Sequence, residues 1–145
     1  MKLVSLHIDN FGKFNNFDLD FNDGLNQFVR DNGWGKSTLT AFIKVMFYGF
    51  DNSAKRDIYE NEKKRYKPWN GGVYGGNITF MADNKCYTIY RTFENKDKDD
   101  TFRLIDYRTR LESDDYSSNA GYELFKIDSD TFKKTLCIYE NNCTT

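Results

Sequence analysis

The chain has 145 residues, of which 39% are hydrophobic and 17% aromatic, and this is enough to build one globular domain over residues 1–145. Its formal net charge of -1 excludes a global positive field, so any nucleic-acid binding would need a local basic patch. Three cysteines without C-x-x-C spacing and a single histidine argue against a disulfide framework or a zinc site. No apolar run is long enough for a signal peptide or a membrane span, so we expect a cytoplasmic protein without a membrane partner.

Two strands with alternating polar and apolar residues are predicted at the start of the chain, at 3–8 and 17–21. This period of two is typical of strands with one buried face. Residues 10–13 are predicted to form the turn between them. We interpret His7, on the polar side of the first strand, as a surface or interface residue, because no partner for a catalytic base lies nearby in the sequence.

A short apolar strand is predicted at 25–29, and it leads into a segment with the pattern of a phosphate-binding loop. Residues 30–38 read RDNGWGKST, which matches G-x-x-x-x-G-K-[ST] except that Arg30 replaces the first glycine. From Leu39 onward, apolar residues recur at the spacing of an amphipathic helix. We therefore predict a helix from about Lys36 to Tyr48 that stops at Gly49.

The order strand, loop and helix favours descent from a phosphate-binding loop over a chance match, and it leaves open whether the loop still binds nucleotide. Backbone N–H groups of residues 33–38 would then point at phosphate oxygens, at the positive end of the helix. Lys36 would neutralise these oxygens, and the Ser37 hydroxyl would bind Mg²⁺. Arg30 either crowds the turn or contacts phosphate, and the sequence leaves both possibilities open.

Residues 51–76 show no period and are predicted to form a long loop, which in compact domains is more often functional than not. The loop supplies the candidate basic patch, although interleaved acidic residues favour a solvated charged loop instead. The patch consists of Lys55, Arg56, Lys63, Lys64, Arg65 and Lys67. Beyond it, antiparallel strands are predicted at 77–81, 86–93 and 101–107, followed by a helical segment through Leu136.

Six segments together resemble the N-terminal lobe of SMC/SbcC-type ATPases, and in particular the YhaN-like branch that carries an AAA-type label. They are LHIDNFGKF at 6–14, NGWGKSTL at 32–39, AFI to MFYGF at 41–50, RYKPW at 65–69, GGVYGG at 71–76 and a strand ending in YRTF at 90–93. The resemblance implies an α/β fold of the P-loop NTPase class. Within an ABC-type head, this lobe would hold a mixed sheet, one P-loop helix and an antiparallel β subdomain.

The same resemblance implies ATP and Mg²⁺ as cofactors. The implied nucleotide-binding residues are Asn10, Lys13, Arg30, Asn32, Gly33, Trp34, Gly35, Lys36, Ser37 and Thr38. The implied metal ligands are Ser37 and Glu140, the latter standing near the place of the family's Q-loop glutamine. The implied partners are the C-terminal lobe of the same ATPase, a second head to form a dimer, and by family resemblance DNA and a nuclease subunit.

Two family elements are absent from the sequence: the signature motif, and an apolar strand that ends in an Asp-Glu pair. We therefore expect a fragment or a truncated product that is inactive alone and hydrolyses ATP only with the missing lobe and a second head, in DNA repair or processing. A second hypothesis is a degenerate P-loop protein that serves protein interactions without ATP turnover. A third, a small P-loop kinase, is disfavoured by the antiparallel strands after Gly76 and by the lack of an arginine-rich lid.

Overall fold

The computed structural model describes residues 1–21, 36–50, 61–69 and 71–135, with residue 36 described in its backbone alone. In these ranges, five strands form one antiparallel sheet in the order β2-β1-β3-β4-β5. The strands are β1 (Lys2–Phe11), β2 (Phe14–Asp20), β3 (Gly75–Ala82), β4 (Lys85–Thr92) and β5 (Thr101–Asp106). The helices are α1 (Lys36–Tyr48), α2 (Glu62–Arg65), α3 (Ala120–Phe125) and α4 (Ser129–Thr135), and a 3₁₀ turn covers Asp97–Asp99.

Helix α1 packs on one face of the sheet and supplies much of the core. Its apolar residues belong to the same core cluster as the apolar residues of β1, β3 and β4. The burial extends all round the helix between residues 39 and 47, because the polar Thr40 and Lys44 are buried too. The buried apolar set on α1 is Leu39, Ala41, Phe42, Ile43, Val45, Met46 and Phe47. Gly49, at a φ of +76°, closes the helix, and its N–H donates to the Val45 carbonyl at 2.7 Å. The predicted helix and its stop are confirmed.

Strand β1 is longer than its alternating pattern predicts. A shift in register between Ile8 and Asn10 interrupts the alternation, and both Asn10 and Phe11 are buried. Phe11 pairs with Phe14 across the hairpin and stacks on the Tyr66 ring with a centroid distance of 4.9 Å. The predicted turn at 10–13 is therefore reduced to two residues, because Phe11 gains more by packing in the core than by forming a loop.

The predicted loop at 51–76 contains regular structure at its end, so this prediction is partly wrong. The short helix α2 begins after Asn61, whose side-chain oxygen accepts a hydrogen bond from the Lys64 N–H at 3.0 Å, as an N-cap does. Strand β3 already begins at Gly75, which has a φ of +149°. A Cβ at Gly75 would overlap the Arg91 carbonyl oxygen of β4, so the close pairing of the strands needs glycine.

Strands β3, β4 and β5 lie where predicted to within two residues. The helical segment predicted through Leu136 is confirmed as α3 and α4 up to residue 135, and Leu136 lies outside the described residues. The described strands pair only in antiparallel fashion, and the strand predicted at 25–29 lies outside the described residues. The mixed sheet is therefore not visible in the described part of the chain. None of the helices in the described ranges is long and apolar enough to cross a membrane.

Arg91 ties the end of α1 to the sheet from a buried position in β4. Its Nε donates to the Met46 carbonyl at 2.8 Å, and its Nη2 donates to the carbonyls of Phe47 at 3.3 Å and Ser118 at 2.7 Å. Burial lowers the pKa of Arg91 to about 10, so the guanidinium remains charged at neutral pH. A cation at the carbonyl end of a helix is favourable, and this contact holds α1 in place over the sheet.

Candidate nucleotide site

The candidate site is at the N-terminal end of α1, where the GKST motif continues into the helix. Ser37 is exposed and Thr38 half-buried. No acidic residue occupies the first turn of this 13-residue helix, so its positive end is not neutralised from within and can attract an anion. The residues of the motif that precede the helix, namely Arg30, Asn32, Gly33, Trp34 and Gly35, lie outside the described residues, and their assignment stays a prediction.

The turn between β1 and β2 is packed against the first turn of α1. Gly12 has a φ of +57°, and its N–H donates to the Tyr66 carbonyl at 2.7 Å. A Cβ at Gly12 would lie 3.2 Å from Cγ2 of Thr38, which shows how closely the turn approaches the helix. The exposed Lys13 follows in the same turn. The structure thus brings the turn that carries Lys13 next to Thr38, two features that the sequence analysis assigned to one site.

Asn10 is held by contacts within the protein on both sides of its amide. Its Nδ2 donates to the Val73 carbonyl at 2.8 Å, and its Oδ1 accepts a hydrogen bond from Asn15 at 2.5 Å. A Cβ at Gly72 would come within 2.7 Å of the same Nδ2 atom. The amide is therefore used to join the hairpin to the loop before β3, and contact with a nucleotide stays a prediction for this residue.

A buried ion pair joins α1 to α2. Lys44 Nζ lies 2.5 Å from Glu62 Oε1, and both side chains are almost inaccessible, at 4% and 9% exposure. Four residues after Glu62, the Tyr66 carbonyl binds the Gly12 N–H. The segment 61–66 therefore contacts α1 directly at Lys44 and indirectly, through the Gly12 turn, at Thr38. We call this segment the α2 clip.

Lys63 corrects one prediction about the basic patch. The interleaved acidic residues predict a solvated charged loop, yet Lys63 is buried, and its Nζ donates to Asp97 at 2.8 Å and Asp100 at 2.9 Å. Burial alone would lower the pKa of Lys63, but these two hydrogen bonds outweigh it and the pKa is raised. Lys64, Arg65 and Lys67 are exposed as predicted, whereas residues 55 and 56 lie outside the described residues.

A cleft of about 440 Å³ opens beside the α2 clip. One wall comes from the residues that follow Asn61, and the other comes from the segment after β4. The lining residues are Asn61, Lys63, Lys64, Lys67, Pro68, Gly71, Gly72, Tyr74, Phe93, Glu94, Asn95 and Asp97. Burial, with a further contribution from the charge of Glu62, raises the pKa of the Tyr74 hydroxyl, which donates to the Lys63 carbonyl at 2.9 Å and stays neutral.

The match of this chain to a family model covers almost its whole length. A model described as an AAA domain matches residues 5–141. The chain belongs to the AAA domain family. Two curated relatives agree with this assignment: the uncharacterized protein YhaN of Bacillus subtilis (strain 168) and the DNA double-strand break repair Rad50 ATPase of Archaeoglobus fulgidus. Together these matches confirm the resemblance to the N-terminal lobe of an SMC/SbcC-like P-loop ATPase.

The AAA domain corresponds to a small part of either relative. YhaN is 38% identical over 97 residues, which are 66% of this chain and 9% of the relative. The Rad50 ATPase is 33% identical over 89 residues, which are 61% of this chain and 9% of the relative. The activities and partners of the whole relatives can therefore only be proposed for this chain.

The predicted metal ligands of the AAA domain can be located only in part. No group of three or more His, Cys, Asp or Glu side chains that could hold a metal ion is found in the described ranges. Ser37 is exposed at the start of α1, where a hydroxyl ligand is accessible to a metal bound together with phosphates. The second predicted ligand, Glu140, lies outside the described residues.

Sequence reasoning missed Lys44, Glu62 and Tyr66, the residues of the AAA domain that hold the candidate site together. One signal was present, since Lys44 is a charged residue inside the otherwise apolar stretch from Ala41 to Phe47. A charge at such a position has to be paired if it is buried. Its partner could not be identified from sequence, because 18 residues separate Lys44 from Glu62.

Proposed function

We propose that this AAA domain is the N-terminal ATP-binding lobe of an SMC/SbcC-like ATPase head. The observation that carries the proposal is the start of α1 at the GKST motif, with the turn of Gly12 packed against Thr38. In this lobe, backbone N–H groups of residues 33–38 would hold the phosphates. Lys36 would neutralise phosphate oxygens, with Lys13 nearby as a second cation, and Ser37 would bind Mg²⁺.

The proposed lobe would bind and orient the nucleotide, and the groups that complete hydrolysis would come from other parts of the assembly. Mg²⁺, when bound, would neutralise phosphate charge. The sequence has no Asp-Glu pair at the end of an apolar strand and no signature motif. We therefore propose that hydrolysis needs a C-terminal lobe and a second head, in an ABC-type dimer whose sheet becomes mixed through strands outside the described residues.

The biological setting of the proposal rests on the Rad50 relative, which is named as a DNA double-strand break repair ATPase. We propose that this lobe acts in DNA repair or processing, in the cytoplasm, with DNA and a nuclease subunit as further partners. The alternative is a degenerate P-loop protein that serves protein contacts, which Arg30 in place of the first glycine would favour.

Calorimetric titration of the chain with ATP and Mg²⁺ tests the proposal. We expect micromolar binding that weakens at least about tenfold in Lys36→Ala, since the proposed role of that lysine is to neutralise the phosphates. Lys134→Ala, at an exposed position in α4, is the matched control and should bind as the wild type does. We expect no steady ATP turnover by the chain alone.

Two results would count against the proposal. Absence of binding in every variant would favour the degenerate interaction module. Steady turnover by the purified chain would contradict the assignment to half of an active site, because the carboxylate that activates water would then have to be present in these residues.

A further inference from the structure

We propose that Trp69, together with Lys64, Arg65 and Lys67, forms a binding surface for single-stranded nucleic acid. We call these four residues the Trp69 patch. The inference goes beyond the proposed ATP site, since none of the four belongs to the phosphate loop. Three observations support it: the exposed ring of Trp69, the exposed cations next to it without a described carboxylate partner, and the adjoining cleft.

Trp69 is unusually exposed for the largest apolar side chain, at 75%. The large aromatic residues of the core, such as Phe11, Phe42 and Phe47, are completely buried in the same molecule. In the described part of the chain, no aromatic ring or cation covers the Trp69 ring. Pro68 precedes it and restricts the backbone, so the ring is presented by a chain with reduced freedom. An uncovered indole on a restrained backbone is a ready stacking platform for a planar ligand.

Among the described residues around α2, some cations have a carboxylate partner and others do not. Lys44 is neutralised by Glu62, and Lys63 by Asp97 and Asp100. In contrast, Lys64, Arg65 and Lys67 are exposed, and within the described ranges no carboxylate lies within ion-pair distance of them. Arg65 also lies over the Tyr66 ring, with Cζ 5.4 Å from the ring centroid. Three exposed cations within four positions, without a carboxylate partner among the described residues and next to an exposed indole, complement a chain of phosphates that carries stackable bases.

The cleft of about 440 Å³ adds a concave surface at the same place, since Lys64, Lys67 and Pro68 line it. Its opposite wall contains the exposed Asn95, which offers a neutral polar surface to a base, whereas Phe93 behind it is only 4% exposed and belongs to the core. Asp97 on that wall is already paired with Lys63. Glu94 is the lining carboxylate without an ion pair in the described part of the molecule, so it would repel a phosphate and keep the backbone of the ligand on the side of the two lysines.

Single strands fit these features better than duplex DNA or an acidic peptide does. A duplex stacks its own bases and leaves none for Trp69. An acidic peptide would use the cations but would not need the ring. Because only three cations take part, we expect modest affinity and a slope of about -2 when the logarithm of the association constant is plotted against that of the salt concentration.

Fluorescence anisotropy with labelled oligothymidylate and oligouridylate of about twelve nucleotides tests the proposal in the 145-residue chain. We expect Trp69→Ala to weaken binding roughly fivefold or more and Trp69→Phe to retain most of it, because stacking needs a ring. The double variant Lys64→Gln/Lys67→Gln should lower the magnitude of the salt slope by about 1.4. Glu94→Gln should tighten binding, because it removes the carboxylate that repels phosphate.

The matched control is Arg108→Gln/Arg110→Gln, which removes two exposed cations beside the 43% exposed Tyr107, near the opposite end of β4. This variant should bind as the wild type does. Equal losses in the control and in the lysine variant, unchanged binding by Trp69→Ala, or equal affinity for a blunt duplex would each overturn the proposal. Absence of oligonucleotide binding alongside ATP binding that depends on Lys36 would overturn this inference alone and leave the proposed lobe intact.

Discussion

At the scale of single residues, Gly12 decides how closely the hairpin turn approaches α1. It combines a φ of +57° with a position where a Cβ would lie 3.2 Å from Thr38. We expect Gly12→Ala to lower the free energy of unfolding by more than the roughly 1–2 kcal/mol that a left-handed conformation alone costs a residue with a Cβ. Gly71→Ala is the matched control, since its φ is +75° but nothing lies within 4 Å. Urea denaturation measures both, and equal losses would show that the turn does not press on the helix.

His7 belongs to the same scale and gives a pH dependence. Its Nδ1 lies 2.7 Å from Asp18 and its Nε2 3.1 Å from Asp9, so the residue does have partners, one of them across the strand pair. The hydrogen bond to Asp18 raises the pKa of His7 above its ordinary value of 6.5, against a smaller opposing effect of burial.

A raised pKa in the folded state makes the protonated histidine stabilising. That contribution is complete below the unfolded pKa of about 6.5 and is lost as the pH rises through the folded pKa. We therefore expect the stability difference between the wild type and His7→Gln to be larger at about pH 5.5 than at about pH 8. Urea denaturation at both pH values measures it, and a difference that does not change with pH would contradict the assignment.

At the scale of elements, the α2 clip contacts α1 at Lys44 and also holds the Gly12 turn, which packs against Thr38 at the start of α1. Glu62→Leu would leave the Lys44 ammonium buried without its carboxylate, and we expect a loss of about 3–5 kcal/mol in the free energy of unfolding. The double variant Lys44→Met/Glu62→Leu removes both charges and should recover most of that loss, because apolar side chains of similar size can replace a buried ion pair. Denaturation curves of the two variants measure the difference. A double variant as unstable as the single one would mean that the charges themselves are needed.

Helix α1 and the strands could be predicted from the sequence, whereas α2 could not. Apolar residues recur at helical spacing along the 13 residues of α1, and a pattern of this length is enough to predict a helix from sequence. Helix α2 has four residues, too few to be stable from propensity. It is stabilised by the Asn61 cap and by contacts with distant residues such as Lys44. No local signal exists for such an element.

At the scale of the whole molecule, the described sheet and α1 form a platform that holds one end of the candidate nucleotide site. Arg91 fixes the C-terminal end of α1, and the α2 clip fixes the rest of the helix against the hairpin. The sheet is completed within the described residues by strands from both halves of the chain, with β3 next to β1. A rigid platform of this kind is what a phosphate loop needs, because binding depends on preorganised N–H groups.

By itself, the sequence determined the class of the protein, the GKST motif and the place of α1, because these depend on residues close together in the chain. Only the tertiary structure decided that Lys63 and Lys44 are internal while Lys64, Arg65 and Lys67 face outward. Neighbouring lysines look alike in sequence, and their burial depends on carboxylates that lie up to 37 residues away. Charge pairing over such distances is set by the fold, and it leaves the Trp69 patch as the basic surface of the described α2 region.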